Sequence, residues 1–191
     1  MPDQKRDWHT FAHTPVGKEY AVSVQTILWN SQGTHVCFVL DQGGIKTRRG
    51  VSHQKPRGYG NPGGAVSEGE TPYERAIHET EQETNHMRHT FRINPNPVDV
   101  VRIGNSQTNE GRTRYKVVFI GKIVNPHEPL TDGPVKDPAG GIDSGVIYRR
   151  WVAYNDLPGM EEVRKPGYLF FGEPIYVSHL GYVFSHKPEE V

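Results

Sequence analysis

A mixed α/β domain is predicted by three features of this sequence. Five runs rich in β-branched and aromatic residues are spread along the chain. A segment between the second and third carries helix start and stop signals, and 191 residues suit one domain.

In chain order, residues 1–18 are polar and punctuated by Pro and Gly, which predicts an arm lying on the fold. "YAVSVQTILWN" (20–30) alternates for part of its length, "SQGT" is a turn, and "HVCFVLD" (35–41) is an almost continuous apolar strand. Together they predict a strand pair. Residues 42–57 are expected to form a loop. "GNPGG" then breaks the chain, and 71–86 is predicted helical. Pro72 suits an early helical position, Glu70 and Glu74 suit the positive end of the dipole, and Asn85 supplies a stop. "VDVVRIG" (98–104), "RYKVVFIGKIV" (114–124) and "VIYRRWVAY" (146–154) predict further strands, and 172–186 a C-terminal helix. Residues 125–146, with four prolines and four glycines, form a long irregular insertion. The organisation expected is an arm (1–18) on a single domain (19–191).

With 22 basic and 22 acidic residues, no global field draws the chain toward nucleic acid or a membrane, and no nucleic-acid-binding motif is present. No apolar run is long enough to span a bilayer and the N-terminal stretch lacks an apolar signal region, so a cytoplasmic location is expected. Cys37 is the only cysteine, which excludes an intrachain disulfide, and its place in "VCFVL" predicts a buried, inert thiol. The even charge balance hides a local bias. From Gln42 to Ser67 there is no Asp or Glu, while Lys46, Arg48, Arg49, Lys55 and Arg57 all fall there.

On a helix, Glu79, Gln82 and Glu83 share one face, and three oxygen-bearing side chains so placed can hold a hard cation. Taken alone, the same run reads as a solvated acidic face. The other side offers Tyr73, Ala76, Ile77, Thr80, Thr84 and Met87 as a weak apolar stripe. Gly63 and Gly64 let the backbone turn tightly and approach a ligand, and a carbonyl freed by that turn can serve as a metal oxygen.

These residues resemble the Nudix hydrolase box, G-x5-E-x7-R-E-U-x-E-E-x-G-U, with U an aliphatic residue. Gly64, Glu70, Glu79 and Glu83 fall on the first Gly, the first Glu, the Glu of "RE" and the last Glu of "EE". Pro62-Gly63-Gly64 matches the "PGG" that often precedes the box, and "RRWVAYNDLPG" (149–159) is similar to a late strand-turn of the family. The departures are His78 for the arginine, Gln82 for the first Glu of "EE" and Asn85 for the glycine, with Thr80 and His86 in the aliphatic places. His86 and His89 have i, i+3 spacing, but with no third ligand nearby they are expected on the surface. Gln82 brings a neutral amide where a carboxylate would bring charge, which weakens a magnesium site, whereas Asn85 tolerates the left-handed backbone that glycine supplies.

The resemblance implies a Nudix-like α/β/α sandwich with a mixed β-sheet. It also implies Mg2+- or Mn2+-dependent hydrolysis of the pyrophosphate linkage in a nucleoside diphosphate joined to another group. Glu79, Glu83 and Glu70 would be the catalytic carboxylates, and Gly63, Glu79, Glu83 and Gln82 the metal ligands. Arg57, Arg49, Lys55 and Tyr59 lead into the turn and are candidate contacts to a nucleotide-type substrate. Asp137 and Asp143, in the insertion, are candidates for a general base or a further ligand, against an ordinary role as loop aspartates. Two readings stay open: a hydrolase, or a domain that binds a nucleotide or protein without hydrolysis. Monomer and homodimer are both open.

Overall fold

The computed structural model describes residues 5–48, 51–103, 112–136 and 145–188. The fold is a mixed α/β arrangement, with a nine-stranded sheet among the described residues and helices packed on it. Its axis is β1 (Tyr20–Trp29) paired in parallel along its whole length with β9 (Thr113–Ile123). Both are apolar runs buried over most of their length, as a strand covered on both faces must be.

β2 (His35–Asp41) runs antiparallel to β1, but the two pair only at Leu28–Cys37 and Trp29–Val36. Beyond that point they diverge. Two short strands fill the fork: β5 (Gly58–Gly60) on β2, and β6 (Gly63–Ala65) on β1 in the register Gln25–Gly63, Val24–Gly64 and Ser23–Ala65. β11 (Val146–Ala153) covers the other edge of β2. β7 (Phe91–Ile93) and β8 (Asp99–Ile103) share the far edge of β9.

Two clusters of core residues result. One, around Val22, Val24, Val117 and Phe119, takes Ala76 of the helix α2 (Pro72–Thr84). The other, around Ile27, Trp29, Val118 and Ile120, takes Leu180 and Val183 of a C-terminal helix (Val177–Ser185). The predicted 172–186 helix is thus present but begins later. The arm carries a short helix, α1 (Trp8–Ala12), and buries Ala12 and Val16 in the first cluster.

α2 starts and stops where its residues dictate. Thr71 Oγ1 accepts the Glu74 N–H at 3.1 Å while the Glu74 carboxylate accepts the Thr71 N–H at 3.1 Å, a reciprocal cap, and Pro72 follows. At the other end Asn85 takes a left-handed φ of 55°. Its amide exchanges two hydrogen bonds with the Lys136 backbone, at 2.6 and 2.9 Å. Asparagine there ties the box helix to the insertion, which glycine has no side chain to do. Thr80 and Thr84 sit fully buried because each hydroxyl donates to the carbonyl one turn back, at 2.7 and 2.5 Å. Thr71→Ala removes one half of the cap and is expected to cost about 1 kcal/mol, read as a lowered thermal midpoint.

Three expectations need correction. Residues 42–57 are not a loop: β3 (Gly44–Arg48) and β4 (Val51–Lys55) form a separate antiparallel hairpin. Met87 is 63% exposed, because the helix ends before it and its position no longer falls on the buried stripe. His86 is buried rather than on the surface, edge-on to Trp151, with Nδ1 at 3.5 Å from Glu128. Within the insertion, β10 (Gly133–Pro134) pairs with β11, and Asp132 accepts the Trp151 N–H at 2.7 Å. Among the described residues no helix is long and apolar enough to cross a membrane.

Candidate active site

The fork between β1 and β2 leaves a gap that the segment from Tyr59 to Gly64 only partly fills, and the space that remains is a cavity of about 480 Å³. Gly63, Gly64 and Glu83 line it, together with Gln25 and Asn61. Opposite walls carry Asp41 and Lys55 from the β2 side and Arg114 and Lys116 from β9.

α2 aims two buried carboxylates at the glycine turn. The Gly63 N–H donates to Glu83 at 2.7 Å. Glu79 lies so close to Gly64 that a β-carbon there would stand 2.1 Å from its carboxylate oxygen. Burial pushes the Glu83 carboxyl well above its usual range, the Glu79 charge adds to the push, and the Gly63 N–H opposes it. Glu79 has its own counter-charge, an ion pair with Arg75 one turn earlier, and Arg75 also stands 3.9 Å from Glu70. Glu70 accepts the Ser67 N–H at 3.2 Å before the helix begins.

Arg75 lies outside the box pattern, which places its arginine at position 78. His78 is exposed and has no resolved role, and the cation sits three residues earlier, spaced i, i+4 from Glu79. That spacing was the available signal.

The remaining candidates divide. Lys55 lines the cavity and is ion-paired with Asp41. Arg57 does not line it. Its guanidinium is held by Glu173 through two hydrogen bonds of 2.7 and 2.6 Å, so its fork is already filled. Tyr59 is 2% exposed and packs edge-on against Phe170, which makes it a core residue with no face free to stack on a base. Gln82 is half-buried on α2 and lies outside the cavity lining. Arg49, Asp137 and Asp143 fall outside the described residues. Cys37 is fully buried and its thiol is pushed up to about 12 by burial, as expected of an inert sulfur.

His179, also not foreseen, borders the cavity from the C-terminal helix. Its Nδ1 takes the Asn61 N–H at 2.9 Å, so the ring proton resides on Nε2. Burial, then the charges of Lys116 and Lys55, push its pKa down to about 3 from 6.5. Between those values the unfolded chain binds a proton that the folded one refuses, so this group makes stability fall as pH falls. Replacing His179 with Gln is expected to flatten that part of the stability profile, measured by urea unfolding at stepped pH.

Among the described residues no group of three His, Cys, Asp or Glu side chains is assembled that could hold a metal ion. No family model and no curated protein matches the chain. Solved structures do. The chain is similar to a NUDIX hydrolase from Nitrosomonas europaea, at 17% identity and TM-score 0.43 over 71% of this chain and 73% of that one. It is similar to the Ap4A hydrolase of C. elegans, at 15% and 0.44 over 87% and 99%. It is also similar to a Nudix hydrolase from M. smegmatis, RenU, at 15% and 0.44 over 89% and 88%. Where these names state a family, it is the one that the spacing of Gly64, Glu70, Glu79 and Glu83 resembles.

Proposed function

We propose that this chain is a Nudix-type hydrolase that cleaves the pyrophosphate linkage of a nucleoside diphosphate joined to another group, using Mg2+ or Mn2+. The observation that carries the reading is the delivery of two buried carboxylates, Glu79 and Glu83, onto the Gly63–Gly64 turn beside a cavity with cationic walls.

The residues fit a hard divalent cation. Glu79 and Glu83 bring two adjacent charges, and Arg75 offsets only one directly. The donors are carboxylate oxygens, as such a cation selects, with a Gly63 carbonyl and the Gln82 amide as weaker candidates. When bound, the cation offsets charge on the phosphoryl oxygens and acidifies the attacking water. The chain's own groups do the rest. Arg75 orients Glu79, and the Gly63 N–H orients Glu83. The raised affinity of Glu83 for a proton suits it to take one from water, and His179 can offer its Nε2–H to a phosphoryl oxygen.

The test is a phosphate-release screen over nucleoside triphosphates, dinucleoside polyphosphates and nucleotide sugars with each metal. Turnover that Glu83→Gln removes supports the reading. Tight nucleotide binding with no turnover of any substrate would instead establish a domain that only binds, which Gln82 and His78 favour.

Arg75 supplies a separate check. Arg75→Met is expected to lower kcat by about 10 to 100-fold, as losing a group that orients a metal ligand does. Adding His78→Arg to that variant should restore part of it if one arginine can stand in for the other. No loss from Arg75→Met would mean Glu79 needs no orienting partner.

A further inference from the structure

On β9, Arg114, Lys116, Val118 and Ile120 fall on one face by strand alternation. Val118 and Ile120 lie under the C-terminal helix in the second core cluster. Arg114 and Lys116 continue that same face past the start of the helix, where the cover ends and the cavity begins. Two cations therefore occupy positions whose neighbours along the strand are core.

This placement is costly as it stands. Among the described residues neither Arg114 nor Lys116 has a carboxylate within ion-pair distance. Lys116 is held below its ordinary value by burial and by Arg114, with no acidic group acting the other way. The carboxylates that share the cavity are engaged elsewhere: Asp41 pairs with Lys55, and Glu83 accepts the Gly63 N–H.

The two amides that line the same cavity are buried and turned to each other. Asn61 Nδ2 donates to the His179 carbonyl and to Gln25 Oε1, both at 3.2 Å. The carbonyl accepts only, which orients the Asn61 amide and leaves Gln25 Nε2 turned away from it. Gln25 is 1% exposed and its Nε2 has no partner among the described residues. Ser23, paired with Lys116 across the sheet, lines the same cavity. One wall thus carries a hydroxyl and two positive charges, with neither cation paired to a carboxylate among the described residues.

We propose that Arg114 and Lys116 form an oxyanion subsite, distinct from the carboxylates of α2, that takes a phosphate group lying outside the linkage to be cleaved. The inference rests on the hydrolase reading and narrows it: the substrate is a linear polyphosphate ester with three or more phosphates, such as a nucleoside triphosphate, and not a nucleotide sugar. A neutral sugar in the same place would leave both cations desolvated and unpaired, a cost that a phosphate removes.

The experiment is calorimetric titration of the full chain with inorganic phosphate, pyrophosphate and tripolyphosphate in excess EDTA, so that neither metal nor nucleoside contributes. Tripolyphosphate is expected to bind best, one per chain, and more weakly as salt rises. Each of Arg114→Gln and Lys116→Gln should weaken it about tenfold, as for one charged hydrogen-bonding group. The double variant is expected to melt no lower than the parent, since it loses no ion pair and is relieved of a repulsion. Arg114→Lys, which keeps the charge, should retain most of the affinity.

Absence of tripolyphosphate binding, or equal binding by a folded double variant, overturns the subsite. The two readings fail separately. Turnover of a nucleoside triphosphate with unchanged KM in the double variant removes the subsite and leaves the hydrolase. Metal-free tripolyphosphate binding with no turnover of any nucleotide removes the hydrolase and leaves an anion site.

Discussion

Glu83→Gln is expected to abolish phosphate release and at the same time to stabilise the metal-free protein. The substitution keeps the shape of the side chain, and a carboxamide oxygen can still accept the Gly63 N–H, so the turn stays in place. What it removes is a negative charge that is 3% exposed, beside the charge of Glu79. Charge in that position is useful to a cation and to an attacking water, and a burden to the empty fold. Loss of one electrostatic group at a reacting centre typically lowers kcat by about 100 to 1000-fold. Relief of a buried like-charge pair is expected to return about 1 kcal/mol, which for a chain of this size raises the thermal midpoint by roughly 2–4 °C.

The pH dependence carries the sign of the same effect. Folding raises the proton affinity of Glu83, so above the ordinary glutamate value of 4.5 the folded chain holds a proton that the unfolded chain has lost. Stability from this group therefore falls as pH rises through its folded pKa. In EDTA, the parent should lose stability over that range relative to Glu83→Gln, and added Mg2+ should recover it in the parent alone. Equal melting of the two proteins at every pH would mean that Glu83 is solvated, and the site as described would not hold. His179 acts with the opposite slope, so the difference between parent and variant, not either profile alone, isolates Glu83.

The parts of this molecule that the sequence made legible are those governed by local patterning. The apolar runs became β1, β2, β8, β9 and β11, and Thr71, Pro72 and Asn85 bounded α2 as their chemistry requires. The hairpin at 44–55 was not legible, because its strands are polar and pair only with each other, off the main sheet. Nor were β5, β6, β7 and β10, which are two or three residues long and owe their extended form to the neighbour they pair with.

The site shows the same division. That Glu79 and Glu83 share one face of a helix is legible from their spacing, whereas Arg114, Lys116 and His179 reach the cavity from strands and helices far off in sequence. Proximity in sequence does not fix a side chain's surroundings: Arg57 and Tyr59 lie close before the turn, and one is held by Glu173 while the other is buried against Phe170. Arg57 and Glu173 are joined across the fold, a contact that no local pattern announces.

Gly63→Ala and Gly64→Ala, adjacent and chemically identical changes, are expected to fail in different ways. A β-carbon at Gly63 would stand 2.1 Å from the Val24 carbonyl oxygen and 2.9 Å from the Gln25 Cα. Both are backbone atoms of β1, which is fixed along its length by β9, so neither can yield. The clash must instead lift β6 from β1, breaking their pairing and opening the fork that the segment fills. Overpacking of this kind costs about 1–3 kcal/mol, more where the backbone must move, and a marginally stable domain loses much of its reserve. At Gly64 the near atoms are the Glu79 carboxylate oxygen and its carbon, at 2.1 and 2.6 Å. These are the far end of a flexible side chain, which can swing aside. Gly64→Ala should therefore melt close to the parent while losing metal affinity and turnover, because the displaced carboxylate no longer reaches the turn. Thermal melts of the two variants, paired with Mn2+ titration, separate the outcomes. If Gly63→Ala melts like the parent, β6 is not held against β1 as described. If Gly64→Ala binds metal like the parent, Glu79 is not a ligand, and the closeness of its carboxylate to the glycine serves packing alone.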